Sequence, residues 1–567
     1  MKQRIIITIS LLVVLVMQGC KKDFLNRPPI SAPTAGTFYA TDADVLSGTG
    51  PLYTASWMGY NGSALQAIGD VMGGNSLTDN YNGRAAYLTF SINGSDQSGS
   101  LQAAYDALWS VVANANVVAY NIHNAAPGAS TTVKNAGLAE CYFMRANAYY
   151  YLALDWGAVP IIYDNITQVG DTGIVRNNLT DVWKLIISDL TWSMNNLPST
   201  PLQPGRITKW SAEGMLAKAY LARAGLGQSG GTRTQSDLDS AKYYAGDICN
   251  NSGLTLLPDY YNLFTSKYFS GSNVPSECLF ALFWVPNSNY QSENHMQANL
   301  AYSALITQTG DGWGASFGAS PSLLKYFMDN PSDSVRRRAT FFMPNDLYPD
   351  INVAGGGWLV DTTLFNNAGI FWPGESPTKP GGTDHAYVKK YVIGSPADNG
   401  GKGGSQDENI NTYMLRLSDI YLVYADAILG NTPSTSDGEA LKYFNAVRTR
   451  AGVSTKTSIS YADIFAEKKA EFAYEGHEWY DWKQWYYFDA TNALQYFSTQ
   501  NRGNYNISYN NGSPFVTYFG ADNISTGVVN YAITPQTTDL PYPASEVLTD
   551  PALLNAPVAF DFSKIKY

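Results

Sequence analysis

Residues 413–427 read Tyr-Met-Leu-Arg-Leu-Ser-Asp-Ile-Tyr-Leu-Val-Tyr-Ala-Asp-Ala. From residue 411 onward, apolar side chains recur at the three- and four-residue spacing of one helix face. These side chains are Met414, Leu417, Tyr421, Tyr424 and Ile428. A second helix face follows over 440–451, and Ser460 with Asp463 has the pattern of a capping box that opens a third helix. Paired helices of about 15 residues joined by short loops are typical of a helical-hairpin repeat.

The same periodicity recurs in the N-terminal half of the chain. It predicts helices over 41–58, 98–124, 142–153, 182–197, 212–220 and 238–250. Residues 59–96 and 251–410 lack it and are rich in Gly, Asn and Pro, with one short strand predicted at 280–285. We therefore predict a mainly α fold, a helical-hairpin superhelix with a large irregular, loop-rich insertion. Its parts are 41–250 with a ligand loop at 59–96, the loop-rich excursion 251–410, and the C-terminal helices and tail 411–567.

The composition limits the classes of ligand. The chain has 567 residues, a formal net charge of -11 and only 15% charged residues, but it has 40 Tyr. An acidic surface excludes nucleic acid as a partner, because nucleic-acid binding needs clustered cations. The 45% of hydrophobic residues excludes global disorder. Tyrosine rings beside amide and hydroxyl groups favour an uncharged polar ligand.

The first twenty residues have the pattern of a secretory signal. A positively charged start precedes an apolar run over 5–17, which is shorter than a membrane-spanning helix. The end of this run, Val-Met-Gln-Gly-Cys at 16–20, resembles a bacterial lipobox. The resemblance implies removal of 1–19 as a signal peptide and attachment of lipid to Cys20, with 20–40 as an extended tether. The alternative is an ordinary signal peptide followed by a chance cysteine.

Several segments in a shared order resemble the SusD/RagB family of surface glycan-binding lipoproteins. They are Lys-Lys-Asp-Phe-Leu at 21–25, Trp-Gly-Ala-Val-Pro at 156–160, the helix pair over 183–221, residues 413–427, Phe-Asn-Ala-Val-Arg-Thr-Arg-Ala-Gly at 444–452, and Pro-Tyr-Pro-Ala-Ser-Glu at 541–546. The resemblance implies tetratricopeptide-like helix pairs and a shallow glycan site on loops at one side. It also implies an outer-membrane, surface-facing location, a SusC-type TonB-dependent transporter as partner, and no catalysis. Some relatives serve peptide import, so a peptide ligand is the alternative within the family.

Loop aromatics beside polar side chains are the candidate ligand contacts. A sugar ring offers an apolar C–H face to a flat aromatic side chain and hydroxyl groups to Asp, Asn or Arg. The candidates are Asp70, Asp79, Tyr81, Arg84 and Tyr87 in the N-terminal loop, and Trp313, Trp372 and His385 in the excursion. Asn82 in the N-terminal loop and Trp358 in the excursion are further polar and aromatic side chains of the same kind. For each candidate, loop packing or turn formation is the alternative role.

No catalytic or metal motif in the chain is complete. Gly-Gln-Ser-Gly-Gly at 227–231 fits the spacing of a nucleophile elbow, but a helix and not a strand precedes it. Glu467, Glu471, Glu475 and Glu478 share a helix face, and we interpret them as solvated or ion-paired. The Asp/Asn-rich loop at 398–402 could hold a structural calcium, but its spacing fits no EF-hand. We predict no cofactor and no enzyme, with a two-carboxylate glycoside hydrolase as the remaining alternative from another class.

Overall fold

The long helices begin and end at residues whose local chemistry fixes the boundary. The computed structural model describes residues 38–78, 81–124, 128–171, 173–268, 273–284, 294–313, 317–343, 346–360, 386–401, 403–510, 513–519 and 526–567. The predicted signal peptide, Cys20 and most of the tether lie outside these ranges, as do Asp79, Trp372 and His385.

Helices account for most of the described chain. The α-helices are α1 (Asp42–Thr49), α2 (Ala85–Thr89), α3 (Ser100–His123), α4 (Thr131–Trp156), α5 (Leu179–Asn196), α6 (Lys209–Gly225), α7 (Gln235–Asn251), α8 (Met296–Leu300), α9 (Ala304–Thr307), α10 (Pro321–Asp329), α11 (Ser334–Thr340), α12 (Pro396–Asn399), α13 (Leu417–Leu429), α14 (Gly438–Ala451), α15 (Tyr461–Phe472), α16 (Glu478–Phe488), α17 (Ala490–Thr499) and α18 (Ala544–Thr549). A π-helix spans Tyr60–Met72.

The strands are short and lie mostly in the excursion. They are β1 (Ser76–Thr78), β2 (Cys278–Leu282), β3 (Phe317–Ala319), β4 (Phe341–Phe342), β5 (Leu347–Tyr348), β6 (Trp358–Leu359), β7 (Tyr387–Val388), β8 (Thr412–Arg416), β9 (Tyr505–Asn510) and β10 (Ser513–Tyr518). The largest sheet that the described residues form has the order β1-β3-β7-β4, and β2–β8, β5–β6 and β9–β10 are antiparallel pairs.

Consecutive long helices pack against each other along the chain. Helix α4 contacts α3 and α5, α6 contacts α5 and α7, and α13 contacts α7 and α14. The apolar faces meet in one large core that includes Tyr149 and Tyr150 of α4. The prediction of a mainly α, tetratricopeptide-like superhelix with a loop-rich insertion containing short strands is confirmed.

Side-chain caps explain several of the helix boundaries. At α15, Ser460 and Asp463 form the predicted capping box, in which the Ser460 backbone N–H donates to Asp463 Oδ2 at 2.9 Å. At α1, Asp44 closes an equivalent box with Thr41. Helix α4 ends at Gly157, whose φ of 71° is unfavourable for residues with a side chain. Asp44 therefore stabilises the N-terminus of α1.

The segment 59–96 is more ordered than the sequence pattern indicated. Its first part is the π-helix, whose i→i+5 hydrogen bonds do not follow the 3.6-residue period used to recognise helices. Gly69 lets this helix approach another backbone, because a Cβ on Gly69 would lie 2.3 Å from Gly476 Cα. The irregular part of this segment is thus limited to residues that follow the π-helix, and its role as a ligand loop stays a prediction.

The start of the C-terminal helical part also differs from the expectation. Residues 412–416 form strand β8, which pairs with β2, and helix α13 begins at Leu417 instead of 411. All five residues of β8 are buried. A short strand that is buried on both faces has no solvent-facing residues to reveal its period, so the pattern could not separate strand from helix there.

A buried ion-pair network joins the excursion to the C-terminal helices. Its members are Glu277, Asp333, Arg336, Lys390, Arg416, Arg448, Arg450, Glu467, Glu471 and Glu475. Among these described residues, five basic side chains match five carboxylates, so the network is neutral. The glutamates that we interpreted as solvated or ion-paired are ion-paired, and they are buried. Among the residues described, no helix is both long and apolar enough to cross a membrane.

Candidate functional site

The four-stranded sheet brings together the separate chain segments in which we predicted ligand contacts. Strand β1, from the N-terminal loop, pairs with β3 of the excursion in the register Thr78 to Phe317. Strand β3 in turn pairs with β7 through Gly318 and Tyr387. Residues separated by more than 200 positions in sequence are therefore neighbours at this sheet.

Arg84 lies against this sheet. Its guanidinium carbon is 4.7 Å from the centroid of the Phe317 ring. This distance is within the range of a cation–π interaction, which is favourable for an arginine that keeps part of its surface in water. Arg84 is half-buried, and Asn82 two residues earlier is exposed. The two predicted segments thus meet directly through Arg84 and Phe317.

Trp313 is presented on a loop that is held at several points. Its side chain is 42% exposed, although large aromatic side chains are usually buried. The Trp313 backbone N–H donates to Ala298 O at 3.0 Å. The preceding Asp311 accepts hydrogen bonds from the Gln406 backbone N–H at 3.0 Å and from the Thr309 hydroxyl at 2.9 Å. Burial raises the pKa of Asp311, which is consistent with an anchoring role.

A second tryptophan is tied to the same sheet. The Trp358 indole N–H donates to the Tyr302 hydroxyl at 3.0 Å, and Trp358 is half-buried. The Tyr302 ring stacks on Tyr387 of β7 with a centroid distance of 4.9 Å. We define the candidate surface as the exposed or half-buried side chains of these segments, Asn82, Arg84, Trp313 and Trp358, and the buried Phe317 ring packs against Arg84.

Two predicted contacts, Asp70 and Tyr87, belong to the scaffold. Neither side chain has exposed surface. Asp70 lies in the π-helix and accepts the Tyr474 backbone N–H at 2.8 Å, and burial raises its pKa well above the usual range. The Tyr87 hydroxyl donates to Asp96 at 2.9 Å. A side chain without exposed surface cannot contact a ligand at the surface, so the expectation for these two residues is corrected.

The other predicted residues have the following places. The backbone of Tyr81 lies in a short 3-10 turn at Tyr81–Gly83, next to Arg84. Asp79, Trp372 and His385 lie outside the described residues, and their role stays a prediction. Phe317 was not among the predicted contacts. No local signal could have found it, because only the pairing of β1 with β3 places its ring beneath Arg84.

Comparison with known proteins decides the family. A family profile described as "SusD family" matches residues 276–558, and one described as "Starch-binding associating with outer membrane" matches 44–221. A SusD-like protein of Bacteroides ovatus is 35% identical over 565 residues, which covers 97% of each chain. The chain belongs to the SusD family.

Further relatives share the fold, and one of them was solved with an oligosaccharide. SusD-like protein P2 of Formosa agariphila is 25% identical over 511 residues, covering 85% of this chain and 91% of the relative. A solved structure with xylogluco-oligosaccharide is 33% identical, covers 91% of this chain and 99% of its own, and has a TM-score of 0.80. A SusD homologue of Bacteroides thetaiotaomicron is 17% identical with a TM-score of 0.67, which supports the fold alone.

Glu471 and Asp398 of this SusD family member have structural roles. Burial by itself would raise the pKa of Glu471, but Arg450, Arg416 and Arg336 hold that pKa at about 2. An acid with so low a pKa cannot donate a proton near neutral pH. Asp398 accepts the backbone N–H of Val353 at 2.7 Å, so it anchors a neighbouring loop.

No metal site is evident in the part of the chain that the structure describes. Within those ranges, no group of three or more His, Cys, Asp or Glu side chains could hold a metal ion. The predicted Gly-Gln-Ser-Gly-Gly segment follows α6, a helix, and the Gln228 backbone N–H donates to Gly225 O in a turn. A nucleophile elbow would need a strand at this position.

Proposed function

We propose that this chain is a non-catalytic glycan-binding protein at the outer-membrane surface. It binds a neutral oligo- or polysaccharide and delivers it to a SusC-type TonB-dependent transporter. In this proposal the chain is anchored by lipid at Cys20, and none of the helices in the described ranges is long and apolar enough to span a membrane. The observation that carries the proposal is the exposed indole of Trp313 on a loop that hydrogen bonds hold in place.

The chemistry of the candidate surface suits a neutral sugar. The exposed indole of Trp313 provides a flat apolar face for the C–H side of a sugar ring. Asn82 and Arg84 can exchange hydrogen bonds with ring hydroxyl groups, because both side chains keep contact with solvent. The relative of 33% identity that was solved with xylogluco-oligosaccharide supports this ligand class.

A peptide ligand and a hydrolase activity are the alternatives. A hydrolase needs two carboxylates that face one cleft, one of them protonated near neutral pH. The glutamates at 467–475 do not meet this requirement, since they are buried and paired with arginines and lysines. This pairing supports the non-catalytic role.

Substitution of Trp313 by Ala tests the proposal. We expect affinity for a neutral glycan, measured by isothermal titration, to fall about 30-fold, the loss of about 2 kcal/mol typical of a central aromatic contact. Because Trp313 is 42% exposed, thermal unfolding should change little. The matched control is Tyr243→Ala, which removes a 70% exposed ring from α7, away from the candidate surface.

The same titrations separate the alternatives. A glycan panel and a peptide mixture are titrated into the full chain, and reducing-sugar release is followed at catalytic protein concentrations. Heat with peptides and none with glycans would contradict the proposal. Release of reducing sugar would favour a hydrolase. Equal affinities for the Trp313 and Tyr243 variants would exclude Trp313 from the site.

A further inference from the structure

A second pocket lies on the helical part, apart from the candidate surface. It has a volume of about 240 Å³ and lies beside the C-terminal end of α3, against the middle of α4. Its lining comes from four chain segments, which contribute Tyr120 and His123, Tyr142 and Arg145, Tyr163 and Asp164, and residues 564–566. None of these residues belongs to the candidate surface.

The C-terminal tail forms one wall of this pocket and is held in place. The Phe560 backbone N–H donates to Asp181 Oδ2 at 2.9 Å. At the end of the chain, the Tyr567 hydroxyl donates to Asp189 at 2.8 Å, and the Tyr567 ring stacks on Trp192 at 6.1 Å. The wall is therefore part of the native fold.

The floor of the pocket is polar but carries no net charge. Arg145 donates to both oxygens of Asp189 at 2.8 Å, so its charge is compensated. Its third nitrogen donates to Asn116 Oδ1 at 2.7 Å. His123 Nε2 lies 3.1 Å from the Tyr142 hydroxyl, and burial lowers the pKa of His123, which favours the neutral ring.

The rim combines aromatic and ionic groups. The Tyr120 side chain is 45% exposed and Tyr163 is half-buried, so both can offer ring surface to a ligand. Lys564 and Lys566 on the tail and Asp164 on the loop after α4 also line the pocket. Hydrogen-bond donors and acceptors thus surround an aromatic wall, which is the arrangement that a ring bearing hydroxyl groups requires.

We infer that this pocket binds a single neutral sugar ring, as a second contact for a glycan. A volume of about 240 Å³ is below the 300–1,000 Å³ of sites for drug-sized ligands, so one ring is the size that fits. The compensated floor favours an uncharged ring over an acidic one. The inference rests on the proposed function, because the ligand class is carbohydrate in both.

Chemical footprinting of tyrosines tests the pocket locally. The full chain is treated with a tyrosine-modifying reagent, with and without glucose, galactose, xylose or glucuronate, and modification is measured by mass spectrometry. At a sugar concentration about ten times the Kd, we expect modification of Tyr120 to slow about tenfold. Tyr243, 70% exposed on α7, is the control and should react at the same rate in every sample.

The matching variant is Tyr120→Ala, which removes an exposed ring and should leave the fold intact. We expect its affinity for the protecting sugar to fall about tenfold or more, with an unchanged unfolding temperature. The same experiments are repeated in the Trp313→Ala background, which disables the candidate surface. Protection of Tyr120 should persist there.

The outcomes separate this inference from the proposed function. Equal modification of Tyr120 with and without neutral sugars would overturn the inference. Stronger protection by glucuronate would overturn the assignment of an uncharged ring. Loss of glycan binding on Trp313→Ala, with Tyr120 unprotected in the native chain, would leave the proposed function standing and reject the second pocket. Protection of Tyr120 by neutral sugars, with no effect of Trp313→Ala on glycan binding, would support the second pocket and contradict the proposed role of Trp313.

Discussion

Replacement of Arg416 by Met should destabilise the fold, because Arg416 is the centre of the buried ion-pair network. Its guanidinium donates to Glu475 at 2.7 and 2.8 Å, to Glu277 at 2.7 Å and to Glu471 at 2.9 Å. Methionine fills a similar volume but makes none of these hydrogen bonds. The substitution therefore removes the charge without leaving a large cavity.

The magnitude follows from the partners that remain. Without Arg416, Glu277 and Glu471 still form ion pairs with Arg450. Glu475 then has only Lys390, at 3.0 Å, among its described ion-pair partners. Removal of one member of a buried ion pair costs about 3–5 kcal/mol, because the other charge stays buried without compensation. Domains of ordinary stability unfold with about 5–15 kcal/mol, so this loss is large.

The pH dependence gives the prediction a sign. In the native protein, the pKa of Glu475 is lowered: burial raises it, but Arg416 and Lys390 overcome that effect. This contribution to stability is present above the unfolded-state pKa and is lost as pH falls through the folded-state pKa. Without Arg416, the Glu475 pKa should rise and the carboxyl should take up a proton in mildly acidic solution. The cost of Arg416→Met should therefore be smaller near pH 5 than near pH 7.5.

Urea unfolding followed by circular dichroism, at both pH values, measures this cost. The control is Lys325→Met, which removes one member of an exposed i,i+4 pair with Asp329 and should leave the free energy of unfolding unchanged. A loss below about 1 kcal/mol for Arg416→Met would refute the reasoning. So would a loss that grows as pH falls. The network joins the excursion to the helices, so the variant should also weaken glycan binding.

Two further substitutions test the core. Gly69→Ala should destabilise the fold by about 1–3 kcal/mol, because the added Cβ would lie 2.3 Å from Gly476 Cα. Gly62→Ala is the control and should not destabilise the fold, because no atom lies within 4 Å of a Cβ at that position. Thermal unfolding compares the two variants. Burial raises the pKa of Asp155 to about 8, so its ionisation destabilises the fold as pH rises. We compare the native chain with Asp155→Asn. Between about pH 4 and 8, the unfolding free energy of the native chain should fall relative to that of the variant by up to about 1.4 kcal/mol per pH unit, and above pH 8 it should fall no further. A difference in unfolding free energy that does not change with pH would contradict this prediction.

The exposure of the candidate residues was predicted only in part, and particular residues show why. Trp313 was chosen because a tryptophan between glycines has little around it to bury it, and the structure leaves it 42% exposed. Asp70 and Tyr87 were chosen for their residue type in a segment without helical periodicity. The π-helix and the hydrogen bond to Asp96 place both of them in the core. Residue type indicates what a side chain can bind, but not whether a ligand can reach it.

The amino-acid sequence determined the helical scaffold, because each helix is specified locally by its apolar face and its caps. It also determined the family, through segments that keep their order along the chain. Only the tertiary structure decided which residues share a surface. The pairing of β1 with β3 and the contact of Arg84 with Phe317 join residues more than 200 positions apart. Contacts at such separations depend on the packing of the whole chain, and periodicity over a few turns carries no information about them.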